Sequence, residues 1–193
     1  MRRMPRWESD AQGRLERAAL ALFETQGYER TSVAQIARTA GLTERSFYRY
    51  FPDKREVLFT GRDLEAHLVE QVEAADPDLR PLEALLTALR TADEVFRSRE
   101  FLLRRVQVIA ASPALAERDL IKLSDIAEAL VPALGRRGVQ PDQARFIIDV
   151  AMAVSRRATS RWLADPDAAF SELVAQAAAE LCEVVAPPAV KAR

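Results

Sequence analysis

The sequence predicts an all-α protein, and three observations support this fold class. Only 6 of the 193 residues are glycine, and Ala, Leu, Glu and Arg dominate the composition, which favours helix along most of the chain. No stretch alternates apolar and polar residues as a half-buried strand would. Apolar residues instead recur at helical spacing between short breaks that contain Pro, Gly and Asp.

The chain is expected to begin with an amphipathic helix that ends near Gln26. Its apolar stripe has helical spacing and consists of Leu15, Ala18, Ala19, Leu22 and Phe23. Gly27 suits the position after the helix, where a left-handed residue is common. Ser32 and Gln35 have the spacing of a capping box, which predicts a second helix that ends near Ala40.

A single glycine, Gly41, separates this second helix from a third in the stretch "TSVAQIARTAGLTERSFYRYFPDK". Gly41 can adopt positive φ at a tight corner, and Ala37 is small enough for close helix approach. Thr43 can cap the third helix, which is predicted to run from about Glu44 to Tyr50. The apolar positions are those that a helix-turn-helix buries; they are Ile36, Ala40, Leu42, Phe47 and Tyr50.

A long fourth helix is predicted from Asp53 to about Ala75. Pro52 ends the third helix, and Asp53 with Glu56 has the spacing of a second capping box, so we expect one continuous helix pinned at its start. Further helices are predicted over 81–97, 100–111, 115–136, 142–164 and 167–185. With about nine helices in total, the expected domains are 1–52, 53–187 and a frayed tail at 188–193.

The charge is distributed unevenly along the chain. Residues 1–60 contain 11 Lys or Arg and 8 Asp or Glu, whereas the remainder contains 17 and 21. A basic N-terminal part on an acidic body suggests a polyanionic partner for that part. Arg2, Arg3 and Arg6 form a basic N-terminal arm that either touches DNA or is plain disordered chain.

Several classes of protein are disfavoured by composition. No apolar run is long enough to span a membrane, and the basic N-terminus lacks the apolar segment of a secretory signal. Cys182 is the only cysteine, so no intramolecular disulfide is possible, and we expect it to be a small core residue. The cytoplasm is the expected compartment.

The outward residues of the third helix have the chemistry of a DNA-reading surface. Arg45 and Arg49 can reach guanine edges or phosphates, and Glu44 can accept from a cytosine amino group. Tyr48 offers a hydroxyl to a phosphate. Ser32, through its helix N-terminus, and Lys54 are further expected phosphate contacts. The pattern alone leaves open a plain three-helix core with a solvated charged face.

Residues 14–58 resemble the DNA-binding region of the TetR family of bacterial regulators. An amphipathic helix ending in "LFETQGY" is followed by "TSVAQIA", "AGLT" and "YRYFPDK" in the family's order and spacing. The resemblance implies that Thr43, Ser46, Tyr48, Tyr50 and Lys54 face DNA. Ala34 departs from the family pattern, where a polar residue is frequent, so more of the base reading is expected from Glu44, Arg45, Ser46 and Arg49.

The same resemblance implies that the C-terminal helices form an effector pocket and a homodimer interface. The last two predicted helices are rich in small apolar residues, which suits a four-helix interface across a two-fold axis; ordinary core is the alternative. Their stripes contain Phe146, Ile147, Val150, Val154 and Ala158 in one helix and Leu173, Val174, Ala177, Leu181 and Val184 in the other.

An unidentified small-molecule effector, expected to be lipophilic, would lie among the helices of the body. Candidate contacts are His67, Phe96, Arg104, Gln107, Val108, Phe146 and Met152, each of which packing or surface exposure would equally explain. His67 is the only histidine and makes no metal site by itself. Phosphate loops, Cys/His clusters and placeable catalytic constellations are missing from the sequence, so neither an enzyme nor a cofactor is expected.

The expected mechanism is release of operator DNA by the effector. A homodimer would place two recognition helices in successive major grooves about 34 Å apart on a palindromic operator. The effector would then act through the fourth helix, and the family's usual habit implies a repressor. The competing class is a helical small-molecule-binding or scaffold protein that does not bind DNA, against which the basic N-terminal part and the Tyr48 and Lys54 positions argue.

Overall fold

The computed structural model describes residues 8–59 and 62–185, in which all regular structure is helical. The all-α prediction is therefore confirmed. The nine α-helices of these residues are α1 (Glu8–Gln26), α2 (Val33–Thr39), α3 (Glu44–Tyr50), α4 (Arg62–Ala74), α5 (Pro81–Leu89), α6 (Arg99–Ala110), α7 (Pro113–Arg136), α8 (Pro141–Ala164) and α9 (Phe170–Val185). The predicted arm at Arg2, Arg3 and Arg6 and the predicted tail at 188–193 lie outside the described residues.

The helices form two compact units. The first unit contains the described residues up to 59 and also 98–123, whereas the second contains 62–97 and 124–185. The sequence motifs had suggested a simpler division at residue 52. The contacts add α6 and the first half of α7 to the N-terminal unit.

The first unit has its own core, into which α1, α2 and α3 all contribute. Leu15 and Phe23 of α1, Ile36 of α2 and Phe47 of α3 are fully or almost fully buried. The core is completed by apolar side chains of the segment after α3 and of α6 and α7; they are Val57, Leu58, Phe59, Val108, Ile109 and Leu115. The core of this unit therefore includes residues more than forty positions after α3 in the chain.

The predicted continuous helix from Asp53 to Ala75 is wrong. A short 3-10 helix covers Glu56–Leu58, Phe59 leaves helical geometry at φ −113° and ψ 13°, and α4 begins at Arg62. Asp53 does accept hydrogen bonds from the backbone N–H groups of Arg55 (2.7 Å) and Glu56 (3.2 Å). The Glu56 carboxylate, however, pairs with Arg118 of α7, so the tertiary contact replaces the second half of the capping box.

The second unit is built around α8 and α9, against which α5 also packs. Its core is mainly aliphatic, with Phe170 fully buried at the start of α9. Five residues of the two predicted interface stripes are buried in this core and are thus unavailable to a second chain; they are Val154, Ala158, Leu173, Val174 and Ala177. Cys182 is exposed on α9, so the expectation of a core cysteine is wrong.

Candidate nucleic-acid interface

The corner between α2 and α3 has the geometry that the sequence predicted. Gly41 adopts φ +68°, and its backbone N–H donates to the carbonyl of Arg38 (3.0 Å). The next N–H, of Leu42, donates to the carbonyl of Ala37 (2.8 Å). This pair of bonds is a Schellman motif, which ends α2 and satisfies carbonyls that the helix leaves open.

The start of α3 is held by its cap. The hydroxyl of Thr43 accepts from the backbone N–H of Ser46 (3.2 Å) and lies 3.0 Å from the Ser46 hydroxyl. These two hydroxyls are therefore partly committed to the helix itself. Glu44 and Arg45 are exposed beside them, so the first turn of α3 presents charged side chains on a fixed backbone.

The outward side of α3 carries Tyr48, whose side chain is 56% exposed. Its ring packs in a T-shaped contact with the ring of Phe47, at a centroid distance of 5.5 Å. Arg49 donates to the Tyr50 hydroxyl (2.5 Å) and lies 4.9 Å from the centre of that ring. Tyr50 is half-buried against the core, so Arg49 is partly restrained, whereas Arg45 is not held in this way.

The predicted capping box of α2 is present. Ser32 accepts from the backbone N–H of Gln35 (3.2 Å), and the Gln35 side chain accepts from the backbone N–H of Ser32 (2.8 Å). The cap fixes the first turn of α2, where Ser32 is exposed.

The Lys54 side chain contacts the protein's own backbone, which the sequence did not predict. Its ammonium donates to the backbone carbonyls of Tyr28 (2.7 Å) and Thr31 (2.9 Å) in the loop between α1 and α2. It also lies 3.9 Å from the centre of the Tyr28 ring. Burial lowers the pKa of Lys54, and the nearby Glu29 opposes this shift. The side chain predicted to contact a phosphate thus has two protein acceptors.

Sequence reasoning missed a cluster that anchors the segment after α3. Phe59 is buried, with the guanidinium of Arg105 at 4.9 Å and that of Arg118 at 5.8 Å from its ring centre. Arg105 also donates to the carbonyl of Leu58 (2.8 Å) and to Asp119 (2.7 Å). Arginines at helical spacing were the only available signal, and they gave no indication of what they would contact.

Three of the candidate effector contacts belong to the first unit and have other partners or surroundings. Arg104 forms a bidentate pair with Glu24 of α1, at 2.8 and 2.6 Å. Gln107 is exposed, and Val108 is buried in the core of the unit. Val108 is therefore a packing residue, and the Arg104 side chain is engaged by a carboxylate.

The other four candidates belong to the second unit. His67 hydrogen-bonds to the Thr91 hydroxyl (2.8 Å), and Met152 is half-buried against the core. Phe146 is 68% exposed on α8, which contradicts a place in an internal lining. Phe96 packs against Trp162 and Phe170, with ring centres 5.6 and 5.1 Å apart, so it belongs to an aromatic cluster.

Within residues 8–59 and 62–185, no three His, Cys, Asp or Glu side chains come together as a metal site would require. No helix in those ranges combines the length and apolar character needed to cross a membrane.

Comparison with known proteins agrees with this architecture. Residues 16–60 match the family model for bacterial regulatory proteins of the tetR family, and residues 79–186, more than half of the chain, match that for the MftR C-terminal domain. The HTH-type transcriptional regulator TcmR of Streptomyces glaucescens is 29% identical over 160 residues, covering 77% of this chain and 71% of TcmR. The putative mycofactocin biosynthesis transcriptional regulator MftR of Mycobacterium tuberculosis is 27% identical over 184 residues, 91% of each chain.

Solved structures show the same fold. FadR of Thermus thermophilus, a repressor crystallised with lauroyl-CoA, is 26% identical with a TM-score of 0.54, covering 94% of this chain and 98% of FadR. A putative TetR-family regulator from Syntrophomonas wolfei has a TM-score of 0.61 at 18% identity, covering 95% of this chain and 100% of its own. The helix-turn-helix, the helical body and these matches together show a transcriptional regulator and not an enzyme. The chain belongs to the TetR family of bacterial regulatory proteins.

Proposed function

We propose that the protein is a ligand-released transcriptional repressor that binds a palindromic operator as a homodimer in the cytoplasm. The observation that carries the proposal is the first turn of α3, where exposed Glu44 and Arg45 stand on a backbone fixed by Gly41 and Thr43. Exposed charge on so rigid a turn is what a recognition helix needs at the floor of a major groove.

We assign roles to the exposed side chains of α3 from their exposure and from the contacts that restrain them. Arg45 is exposed and is the proposed base reader, since a guanidinium can donate twice to a guanine edge. Tyr48 is the proposed phosphate contact, because the residue is exposed and its ring packs against Phe47. Arg49 and Tyr50 form a pair, so we assign them to the backbone side of the groove.

The proposed dimer uses the outward faces of α8 and α9. Exposed residues recur there every three or four positions, and many are small; they include Ala153 and Ser160 on α8 and Ala175, Ala179 and Cys182 on α9. Small side chains allow helices to approach closely. The exposed Phe146 on α8 gives such an interface an apolar anchor, in place of its earlier expected role as an effector contact.

The proposed effector is a small lipophilic molecule that contacts the second unit. Its proposed anchor is the aromatic cluster of Phe96 and Trp162, both half-buried against the fully buried Phe170. Of the solved relatives, the Thermus FadR structure holds lauroyl-CoA, a molecule with a long apolar chain. That observation supports an apolar effector for this chain.

The route from effector to DNA is proposed to run through α6 and α7. The segment from Glu56 to Phe59 breaks the helical path into α4, and it is held instead by Arg105 and Arg118. Glu24 of α1 is tied to α6 through Arg104. We therefore expect α6 and the first half of α7 to move with the helix-turn-helix when the effector binds, provided that the effector prefers the DNA-incompetent state.

The experiment that tests the function selects bound fragments from random DNA and compares variants on the resulting consensus. Arg45→Ala is expected to weaken operator binding by about 1–3 kcal/mol and to relax preference at one base pair per half-site. Arg90→Ala removes an exposed arginine of the second unit and serves as the matched control. Metabolites are then screened for release of the bound operator.

The outcomes separate the two classes of function. If no sequence is enriched and no duplex binds at low salt, the chain is a helical binding or scaffold protein without DNA activity. If a consensus emerges but Arg45→Ala leaves it unchanged, DNA binding stands and the base reader is another residue.

A further inference from the structure

Lys54 joins the two ends of the helix-turn-helix. The motif begins at Ser32, immediately after Thr31, and ends at Phe51, three residues before Lys54. The Lys54 ammonium donates to the carbonyl of Thr31 (2.9 Å) and to that of Tyr28 (2.7 Å). The loop that precedes α2 and the segment that follows α3 are therefore joined by direct hydrogen bonds, which tie the two ends of the motif together.

The acceptor loop is itself well ordered by hydrogen bonds. Thr31 is buried, and its hydroxyl donates to the carbonyl of Gly27 (2.8 Å) while accepting from the Gln26 amide (3.0 Å). The same amide lies 3.3 Å from the Gln35 side chain, which accepts from the N-cap of α2. A continuous network thus leads from the Lys54 ammonium to the capped first turn of α2.

Most of the hydrogen-bonding capacity of the Lys54 ammonium is used inside the motif. The ammonium carries three N–H donors, two of which are used by carbonyls, and the Tyr28 ring lies against it at 3.9 Å. The Tyr28 ring is in turn held by an edge contact with Phe23, at 5.3 Å between centres. Two of the three donors are thus engaged inside the motif, which favours a role in holding the loop over a role in binding a phosphate.

We propose that Lys54 is a positioning residue, which fixes the angle between α2 and α3 for DNA reading, and is not a phosphate ligand. The proposal rests on the proposed DNA-binding function. It reverses the role that the family resemblance implied for this position. Lys54 acts through the loop carbonyls. The DNA contacts are made by α2 and α3, which these hydrogen bonds hold in place.

Two substitutions distinguish the roles on DNA. Lys54→Arg keeps the charge, but a planar fork on a different stem does not reproduce a compact ammonium between two carbonyls and a ring. For a positioning residue, both Lys54→Arg and Lys54→Met lower operator affinity, on the order of tenfold for lost charge-assisted hydrogen bonds. The slope of log K against log salt stays that of the parent.

The opposite results overturn the proposal. For a phosphate ligand, Lys54→Arg binds like the parent, and Lys54→Met reduces the salt slope by about 1. For a purely stabilising residue, both variants melt earlier, yet below their melting temperature they bind the operator with parental affinity. Circular dichroism verifies that each variant is folded at the temperature of the binding assay.

A measurement without DNA separates this proposal from the function itself. The chain has three lysines, Lys54, Lys122 and Lys191, so the ammonium signals in a nitrogen-edited NMR spectrum are few. Lys54 is expected to give a signal that persists without DNA, is shifted upfield by the Tyr28 ring, and moves back in Tyr28→Leu. Lys122 is the internal control.

Operator DNA should then leave the Lys54 signal nearly unchanged. A Lys54 signal that is absent without DNA, insensitive to Tyr28→Leu, or strongly displaced by operator would overturn the positioning role of Lys54. If the signal behaves as expected while no DNA binds under any condition, the hydrogen bonds of Lys54 to the loop stand and the proposed function fails.

Discussion

At the scale of single residues, the ion pair between Glu24 and Arg104 makes the stability of the first unit depend on pH. A hydrogen bond from Arg104 lowers the pKa of Glu24 below its ordinary value of 4.5. A carboxyl with a depressed pKa in the folded state stabilises the fold above its unfolded-state pKa, and this contribution disappears as the pH falls through the folded-state pKa. The pair is partly exposed, so its contribution is about 1 kcal/mol or less.

Glu24→Gln should therefore reduce the loss of unfolding free energy that the protein shows at acidic pH. The parent is expected to lose more unfolding free energy than the variant as the pH falls below 4.5, and urea titrations at a series of pH values measure the difference. Glu117→Gln, at an exposed acid of α7, is the matched control in the same unit. Parallel curves for parent and Glu24→Gln would show that the pair does not contribute in solution.

Residue-scale features also mark where sequence reasoning ended. The positions of Thr43, Ser32 and Gln35 were predictable because caps depend on neighbours three residues away. The partners of Lys54, 23 and 26 positions away, were not, because hydrophobic period and local motifs carry no information about which distant carbonyl a lysine will reach.

At the scale of elements, the corner and the long helix α7 place opposite demands on glycine. Gly41 has φ +68°, and a Cβ there would meet nothing closer than 3.7 Å, so its constraint is conformational and not steric. Gly135 lies inside α7, and a Cβ there would meet nothing within 4 Å. The same substitution should thus have opposite signs.

Gly41→Ala is expected to destabilise the protein by about 1–2 kcal/mol, the cost of a left-handed backbone with a side chain. Gly135→Ala should stabilise it by about 0.5 kcal/mol, because alanine loses less backbone entropy on folding into a helix. Urea midpoints of the two variants, measured against the parent, test the pair. A urea midpoint of Gly41→Ala equal to or above that of the parent would mean that the corner relaxes to accept the side chain.

The same scale explains why the predicted fourth helix was wrong. Asp53 and Glu56 have the local pattern of a helix start, and Asp53 does cap the turn. The pairing of Glu56 with Arg118 and the burial of Phe59 between two guanidiniums are tertiary contacts that outweigh this local preference. The helices α6 to α9, in contrast, lie within a few residues of prediction, because long periodic segments determine their own geometry.

At the scale of the whole molecule, substitutions at exposed positions of single helices can test the proposed dimer interface. Ala179→Asp places a charge on an exposed position of α9, where it is tolerated by the single chain but would be buried in the proposed interface. Sedimentation should show a folded monomer, with unchanged helical circular dichroism and lost affinity for the palindrome. Ala66→Asp, at an exposed alanine of α4, should remain a dimer.

Val154→Asp completes this comparison, because Val154 is buried in the chain's own core. An unpaired carboxylate there costs several kcal/mol, so this variant should lose its fold and not merely its partner. A stable dimer in Ala179→Asp would move the interface away from α9. Helical periodicity could identify both apolar stripes from sequence, but it could not tell which neighbour each stripe would meet.

The division of the first unit into two chain segments has a consequence for its synthesis. Domains generally form from the N-terminus as the chain leaves the ribosome, yet the core that contains Leu15, Ile36 and Phe47 also contains Val108, Ile109 and Leu115. The core of the nascent unit therefore stays incomplete until Leu115 has been translated. A nascent chain cannot complete its N-terminal unit before residues 62–97, which belong to the other unit, have been translated.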